Sequence, residues 1–297
     1  MVRGIRAVAT VMTWGSTATV AAIVLAGGGP AATAMPADDA VVGYVVEAMA
    51  DHGLLMPAEA EQNSAEHLTR LAPDGGLSVS ADQGTVRVSP VTDRRGILAA
   101  DGHAVVYPDS EYALALASPG AGGAGHVVIA DESAPDEFRF ALTVDGLPAT
   151  LEQSGSRIIV SSAAGEPVNV FQAPVARDAV GVPVQTALSI DGSTIVQRVE
   201  HRGAQYPVTA DARLACDGLW CTLELTRHET GLLADNALNS GILCGLLGPG
   251  AALCVVMVGG AWAMANIARN TGQCVGVRVW QKTMWTQMHL VYLPCYA

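Results

Sequence analysis

The chain has 297 residues, half of them hydrophobic, and a formal net charge of −12 from 28 acidic and 16 basic side chains. This length is sufficient for a sizeable globular core. The acidic balance argues against nucleic acid as a partner, because a negative surface repels the phosphate backbone. All six cysteines lie at or after residue 216, so the chain divides into a cysteine-free part and a cysteine-containing tail.

Residues 1–34 have the three parts of a secretory signal peptide. Two arginines precede an apolar stretch from Ala7 to Leu25, and Ala32-Thr33-Ala34 offers a small-residue cleavage site. The alternative is an uncleaved membrane anchor, because the apolar stretch approaches membrane-spanning length. We favour cleavage, since Gly27 to Pro30 would end the helix just before the small residues. The predicted location is secreted or extracellular.

Residues 35–75 are predicted to form a helical arm. Asp38 can cap a helix whose apolar residues recur at i, i+3, i+4 and i+7, namely Val42, Val45, Val46 and Met49. A second, weaker helix is predicted from about Ala58 to Leu71, with Leu68 and Leu71 on its apolar side. A loosely ordered segment is the alternative for this second helix.

Residues 76–213 are predicted to form an acidic, β-rich domain, because the hydrophobic period changes there to two. The segment Phe138–Val144 alternates in this way, and three Asp-Gly pairs lie between or beside such runs. Asp-Gly supplies the positive φ angles of tight hairpin turns, and the clearest hairpin runs from Val184 to Val199 around Asp191-Gly192. Such short strands predict an antiparallel sandwich or meander, and the fold class is therefore α+β.

Five short motifs between residues 100 and 213 resemble, in their order and spacing, a group of exported actinobacterial proteins of unassigned function. They are Val106-Tyr-Pro-Asp109, Ala173-Pro-Val-Ala-Arg-Asp-Ala179, Val184-Gln-Thr186, Ile195-Val-Gln197 and Tyr206-Pro-Val-Thr-Ala-Asp211. Val175 and Ala212 stand where members usually carry Trp and Pro, and the tail is similar to the tails of some members. The resemblance implies export and a β-rich body, and it brings no catalytic residues.

Residues 214–297 are predicted to be a small tail domain held by disulfides, because an even number of cysteines in an exported protein indicates such a framework. Residues equidistant from a hairpin turn face each other, close enough for a bridge. This geometry predicts the pairs Cys216–Cys221, Cys244–Cys254 and Cys274–Cys295, although spacing alone does not fix the connectivity. The alternative is a zinc site that uses the first pair with His228, and the spacing matches it poorly.

An uncharged segment, Asn236 to Ala268, lies within the tail, and its last 19 residues are just long enough to span a bilayer. We predict instead a buried helical hairpin that turns at Gly248-Pro249-Gly250 and packs on a terminal β-hairpin. A membrane span would place Cys274 and Cys295 in the reducing cytosol. Membrane insertion after release, or a resident transmembrane anchor, is the alternative.

No catalytic, cofactor-binding or metal-binding pattern is evident in the sequence. The seven histidines lack the i, i+4 spacing of a helical zinc site, and no Gly-x-Ser-x-Gly elbow occurs. Asp109, Asp178 and Asp211 lie beside predicted turns, where carboxylates usually accept local hydrogen bonds. We place His228 and Glu229 on the surface.

The sequence therefore predicts a secreted, non-enzymatic protein with a β-rich body and a disulfide-stabilised tail that binds an unknown protein or cell-surface partner. Four of the five tryptophans lie in this tail, which is typical of core packing or of a binding surface. One alternative is a membrane-active toxin or bacteriocin-like effector that acts through residues 236–268. The other is an envelope hydrolase whose site is assembled from distant residues.

Overall fold

The structure is a computed structural model, and it describes residues 38–51, 69–72, 76–81, 83–100, 102–117, 124–216, 220–235, 251–280 and 288–295. All of them belong to one compact unit of the chain, Thr33–Ala297. The predicted signal peptide, residues 1–34, lies outside the described residues. The predicted turn of the helical hairpin, at residues 248–250, also lies outside them.

The described residues are rich in antiparallel strands and contain few helices. The helices are α1 (Asp38–Asp51), α2 (Arg227–Asp235) and α3 (Ala251–Thr271). The strands are β1 (Thr69–Ala72), β2 (Gly76–Ala81), β3 (Gly84–Pro90), β4 (Ile97–Leu98), β5 (Ala104–Pro108), β6 (Tyr112–Ala117), β7 (Ala124–Ile129), β8 (Glu137–Val144), β9 (Leu147–Pro148), β10 (Thr150–Ser154), β11 (Arg157–Ser161), β12 (Pro167–Phe171), β13 (Val175–Arg177), β14 (Thr186–Asp191), β15 (Thr194–Val199), β16 (Val208–Arg213), β17 (Trp220–Glu224), β18 (Gln273–Trp280) and β19 (Met288–Pro294).

These strands form four antiparallel sheets. Sheet A has the order β1-β2-β3-β8-β15-β14, with β9 beside β8, and sheet B has the order β13-β16-β7-β6-β5-β4. Sheet C is β10-β11-β12, and sheet D, which belongs to the tail, is β17-β18-β19. Sheets A, B and C make up the β-rich body.

The main core is built from buried apolar side chains that sheets A, B and C contribute together. Phe140 from sheet A, Leu116 from sheet B and Ile158 from sheet C are among them. The alternation predicted for Phe138–Val144 is confirmed, because its four apolar side chains Phe138, Phe140, Leu142 and Val144 are each at most 2% exposed. The opposite face of sheet B packs against α1 in a second cluster.

The predicted hairpin turns are present. Asp145 and Gly146 join β8 to β9 with φ values of 51° and 81°, the left-handed conformation that a two-residue turn of this kind requires. In the second hairpin, Asp191 pairs with Thr194. The connecting residues are therefore Gly192 and Ser193, one position later than predicted.

Only part of the predicted helical arm forms a helix. Helix α1 buries Val42, Val45 and Met49 as its spacing predicts. The second helix is wrong at its end, because Thr69–Ala72 form β1 and pair antiparallel with β2. The three-residue spacing of Leu68 and Leu71 fits a helix, but residues 69–72 pair with β2 instead, which satisfies their backbone while Leu71 packs on the main core. Residues 52–68 lie outside the described residues.

The tail contains the predicted terminal β-hairpin, formed by β18 and β19, and sheet D extends it with β17. Helix α3 buries small side chains at i, i+4 and i+7, namely Ala261, Ala265 and Ala268, and the short side chains permit close packing. The Asn266 side chain donates to the Ala234 carbonyl at 3.1 Å and so connects α3 to α2. No helix in the described part of the chain is long and apolar enough to cross a membrane.

Candidate functional site

The motif segments around Asp178 and Tyr206 meet at the edge of sheet B. Asp178 is 4% exposed, and one of its oxygens accepts the N–H groups of Val180 and Val182 at 3.1 and 2.8 Å. Its other oxygen accepts the Gln205 N–H at 3.4 Å. Asp178 therefore accepts local hydrogen bonds, as predicted. It fixes the conformation of residues 178–182, which we call the Asp178 turn.

A groove of about 600 Å³ separates the Asp178 turn from α1. Among the described residues, its lining includes Tyr44, Glu47, Ala48, Asp51, Ala179, Val180, Gly181 and Pro207. Burial raises the pKa of Tyr44, so this phenol stays protonated near neutral pH and can donate a hydrogen bond. The groove thus combines two carboxylates and a phenol with an apolar wall.

A buried histidine contacts the motif tyrosine. The Nδ1 of His201 is 2.9 Å from the Tyr206 hydroxyl. The same hydroxyl donates a hydrogen bond of 3.0 Å to the His201 carbonyl. The Nε2 is 3.3 Å from an Asp136 oxygen without hydrogen-bond alignment. The hydrogen bond from Arg202 is the main cause that lowers the pKa of Asp136. Because His201 is 0% exposed, a substrate cannot reach its imidazole, and the cluster holds two loops together.

A second polar cluster lies within sheet B. Asp211 in β16 is directly opposite His126 in β7, and it accepts the Val175 N–H at 3.1 Å and contacts Arg213 at 3.2 Å. Asp211 is therefore in a strand and not beside a turn, contrary to our prediction. Burial raises the pKa of Asp211 and, with the nearby Arg213 charge, lowers that of His126 to about 3. Neither His126 nitrogen has a hydrogen-bond partner among the described residues.

A buried ion pair joins the body to the tail. Arg157 of sheet C is 1% exposed. It donates to both carboxylate oxygens of Glu229 in α2, at 2.7 and 2.9 Å, and to the Glu224 carbonyl. Burial alone would raise the pKa of Glu229, but the hydrogen bond and charge of Arg157 hold it below its usual range. The prediction that Glu229 lies on the surface is wrong, whereas His228 is exposed as predicted.

Glu229 also caps the start of α2, which begins at Arg227. Its carboxylate accepts the Thr226 N–H at 2.8 Å, and the Thr226 hydroxyl accepts the Glu229 N–H at 3.2 Å. This reciprocal pair is a capping box, whose sequence signature is Ser or Thr followed three residues later by Glu or Gln. That signature was present at 226–229 and would have indicated the start of the helix. No local signal indicated Arg157, which lies 72 positions away in the sequence.

Two amide side chains next to β17 strengthen this junction. Asn169 accepts the Cys216 N–H at 3.0 Å and donates to the Cys216 carbonyl at 3.3 Å. Gln172 donates to the Thr222 carbonyl at 2.5 Å and accepts the Glu224 N–H at 3.4 Å. Each amide bonds to the tail backbone as a neighbouring strand would. The junction is therefore an ordered interface between body and tail.

The structure pairs Cys216 with Cys221 and Cys274 with Cys295, which are two of the three predicted bridges. Cys274 lies opposite Leu293 in the hairpin, so its bridge reaches just beyond the end of β19. The third predicted bridge, Cys244–Cys254, includes Cys244, which lies outside the described residues. Within the described ranges, no group of three or more His, Cys, Asp or Glu side chains could hold a metal ion.

No family model, curated protein or solved structure matches this chain. The resemblance to exported actinobacterial proteins stays a prediction.

Proposed function

We propose that this chain is a secreted, non-enzymatic protein in which a β-rich body holds a disulfide-linked tail that binds a protein or a cell surface. The observation that carries the proposal is the body–tail junction, where the buried Arg157 pairs with Glu229. Removing one partner of a buried ion pair is strongly destabilising. The body therefore acts as a rigid support that presents the tail.

Two further features of the architecture belong to this proposal. We propose that sheets A and B form a sandwich, because they share the main core and β2 contacts β6 across it. We also propose that residues 236–268 fold as a helical hairpin inside the tail. The buried alanines of α3 support this proposal, because they show that one side of the helix packs against other parts of the tail.

Export from the cell is the third part of the proposal. Residues 1–34 have the features of a cleavable signal, and disulfides form and persist in oxidising compartments. The two tail bridges are compatible with such a compartment. After signal cleavage, the acidic body would keep the protein soluble outside the cell.

The proposed binding residues are the exposed Trp262 and Ile267 of α3 and Tyr292 of β19. These side chains are 44%, 52% and 39% exposed. Large aromatic and aliphatic side chains that remain exposed on a rigid element are favoured anchors for a partner. The side of α3 that carries Ala261, Ala265 and Ala268 is buried, so the helix holds Trp262 and Ile267 in fixed positions.

The test uses the full-length, oxidised protein with a fluorescent label, incubated with intact cells of the bacterium that exports it. Substitution of Trp262 and Ile267 by Ser should weaken cell binding about tenfold or more, because each anchor contributes more than about 1 kcal/mol. The matched control is Leu147→Ser, since Leu147 is 56% exposed but lies in the body. Equal binding by the wild type and both variants would contradict the proposal.

A second candidate function, a membrane-active effector, is favoured by one observation. Helix α3 is a continuous helix of 21 residues, and Arg269 is its only charged residue. Full-length protein, oxidised and reduced, would be added to dye-filled vesicles of anionic and of zwitterionic lipid. Dye release at micromolar protein would support this candidate, and intact vesicles under all four conditions would eliminate it.

A further inference from the structure

We infer that the groove between α1 and the Asp178 turn binds a small organic cation, an ammonium or guanidinium group on a short apolar stem. The groove, at about 600 Å³, has the size typical of small-ligand sites. None of the residues given for its lining belongs to the tail, and the inference does not depend on the proposed function. Three properties of its lining point to this class of ligand.

The first property is the charge of the helical wall. Glu47 and Asp51 are four residues apart on α1 and therefore lie on the same side of the helix. Asp51 is the last residue of the helix, and no basic residue occupies the last turn. The partial negative charge of a helix C-terminus adds to that of the carboxylates. None of the eight lining residues is cationic, and within the described residues neither carboxylate has an ion-pair partner.

The second property is the apolar wall opposite. Val180 and Val182 of the Asp178 turn are 61% and 54% exposed, and Val180 lines the groove. The buried Asp178 carboxylate fixes both valine backbones, so the wall is preorganised and its ordering costs little on binding. Arg177, next to this turn, donates to the Gly181 carbonyl at 3.2 Å and is not part of the lining. An apolar stem would cover the exposed Val180 side chain.

The third property is the phenol at the inner end of the acidic wall. Tyr44 lines the groove one turn before Ala48, and a tyrosine ring attracts a cation at its face. Two carboxylates are too few to hold a bare divalent ion, which takes six or more oxygen ligands. A monovalent organic cation needs only one or two carboxylates, a ring face and an apolar contact. All of these are present here.

Titration calorimetry of the full-length protein tests the inference with three probes that carry short alkyl chains, cationic n-butylguanidinium, neutral n-butanol and anionic butyrate. We expect saturable binding of the cation, and affinity for the neutral and anionic probes at least tenfold weaker. Replacing both carboxylates, by Glu47→Gln together with Asp51→Asn, should weaken cation binding about tenfold. Each exposed carboxylate that pairs with the cation raises its affinity by up to roughly fivefold. The control Glu166→Gln removes an exposed carboxylate of the loop between β11 and β12 and should leave the affinity unchanged.

A second variant, Val180→Ser, leaves α1 intact and should weaken binding of the cation without changing its salt dependence. Thermal unfolding of each variant verifies that the fold is retained. Equal affinity for butylguanidinium and butanol would overturn the inference. Unchanged cation binding by the double variant, or no saturable binding at millimolar concentration, would also overturn it.

Discussion

Glu229→Gln is expected to destabilise the entire protein. The substitution preserves the shape of the side chain and an acceptor for the capping box, but it removes the charge that neutralises Arg157. Because Arg157 is 1% exposed, its guanidinium is left without a counterion in a site that is largely shielded from water. Losing one partner of a buried pair costs about 3 to 5 kcal/mol. The Glu229 side chain is 17% exposed, so we expect a value near the lower end.

The assay is urea unfolding of the oxidised full-length chain near neutral pH. Tryptophan fluorescence reports on the tail, because all tryptophans outside the predicted signal lie there, and far-ultraviolet circular dichroism reports mainly on the sheets. Both signals should shift together. A loss of about 3 kcal/mol corresponds to a Tm decrease of roughly 6 to 12 °C for a domain of 150–250 residues.

Two control variants separate the buried charge from other effects. Asp235→Asn breaks the ion pair with Arg269, whose side chains are 65% and 45% exposed, and should cost no more than about 1 kcal/mol. Thr226→Ala removes only the capping hydroxyl and should cost about 1 kcal/mol. The reasoning is refuted if Glu229→Gln unfolds at the same urea concentration as Asp235→Asn.

The same pair makes stability depend on pH. The folded-state pKa of Glu229 is held below its usual range. Its contribution to the free energy of unfolding is therefore present above the pKa of the unfolded chain and is lost as pH falls through the folded-state pKa. Wild-type protein should lose more stability in acid than Glu229→Gln does. Parallel pH profiles for the two proteins would contradict this sign.

Three other variants test the buried contacts and one of the disulfide bridges. The folded-state pKa of His126 is about 3, against an ordinary 6.5, so the wild type should lose about 5 kcal/mol of stability as pH falls across this range. His126→Leu should flatten this loss. Thermal melts that show the same slope against pH for both proteins would contradict the prediction. Gln197→Leu removes the 3.2 Å bond to the Asp211 carbonyl and should cost about 1 to 3 kcal/mol, and a neutral effect in urea would show that this link between sheets is dispensable. Cys274→Ser with Cys295→Ser opens a loop of 21 residues and should cost about 3 kcal/mol, so retention of wild-type stability would argue against this bridge.

The local patterns predicted the body well. The alternation in Phe138–Val144 identified the buried face, because a strand that faces one core buries every second side chain. The Asp-Gly turn at 145–146 followed from its conformational preference. The spacing of Leu68 and Leu71 misled, because three residues match the helical period, whereas the structure at 69–72 was decided by pairing with β2, a contact that local spacing does not reveal.

The candidate sites were harder to predict because their residues meet only in the folded chain. Arg157 and Glu229 lie 72 positions apart, and no periodicity connects them. The groove joins a helix near the start of the body to a turn around Asp178, so its composition could not be read from either segment alone. Asp211 was predicted to lie beside a turn, but β16 includes it and buries its carboxylate.

The most informative measurement is mass spectrometry, without reduction, of the mature protein recovered from the culture medium. We expect one chain that contains both body and tail and starts after residue 34, with linked peptides for Cys216–Cys221 and Cys274–Cys295. Free thiols at these four cysteines, or a tail recovered without its body, would contradict a secreted protein whose body holds a cross-linked tail.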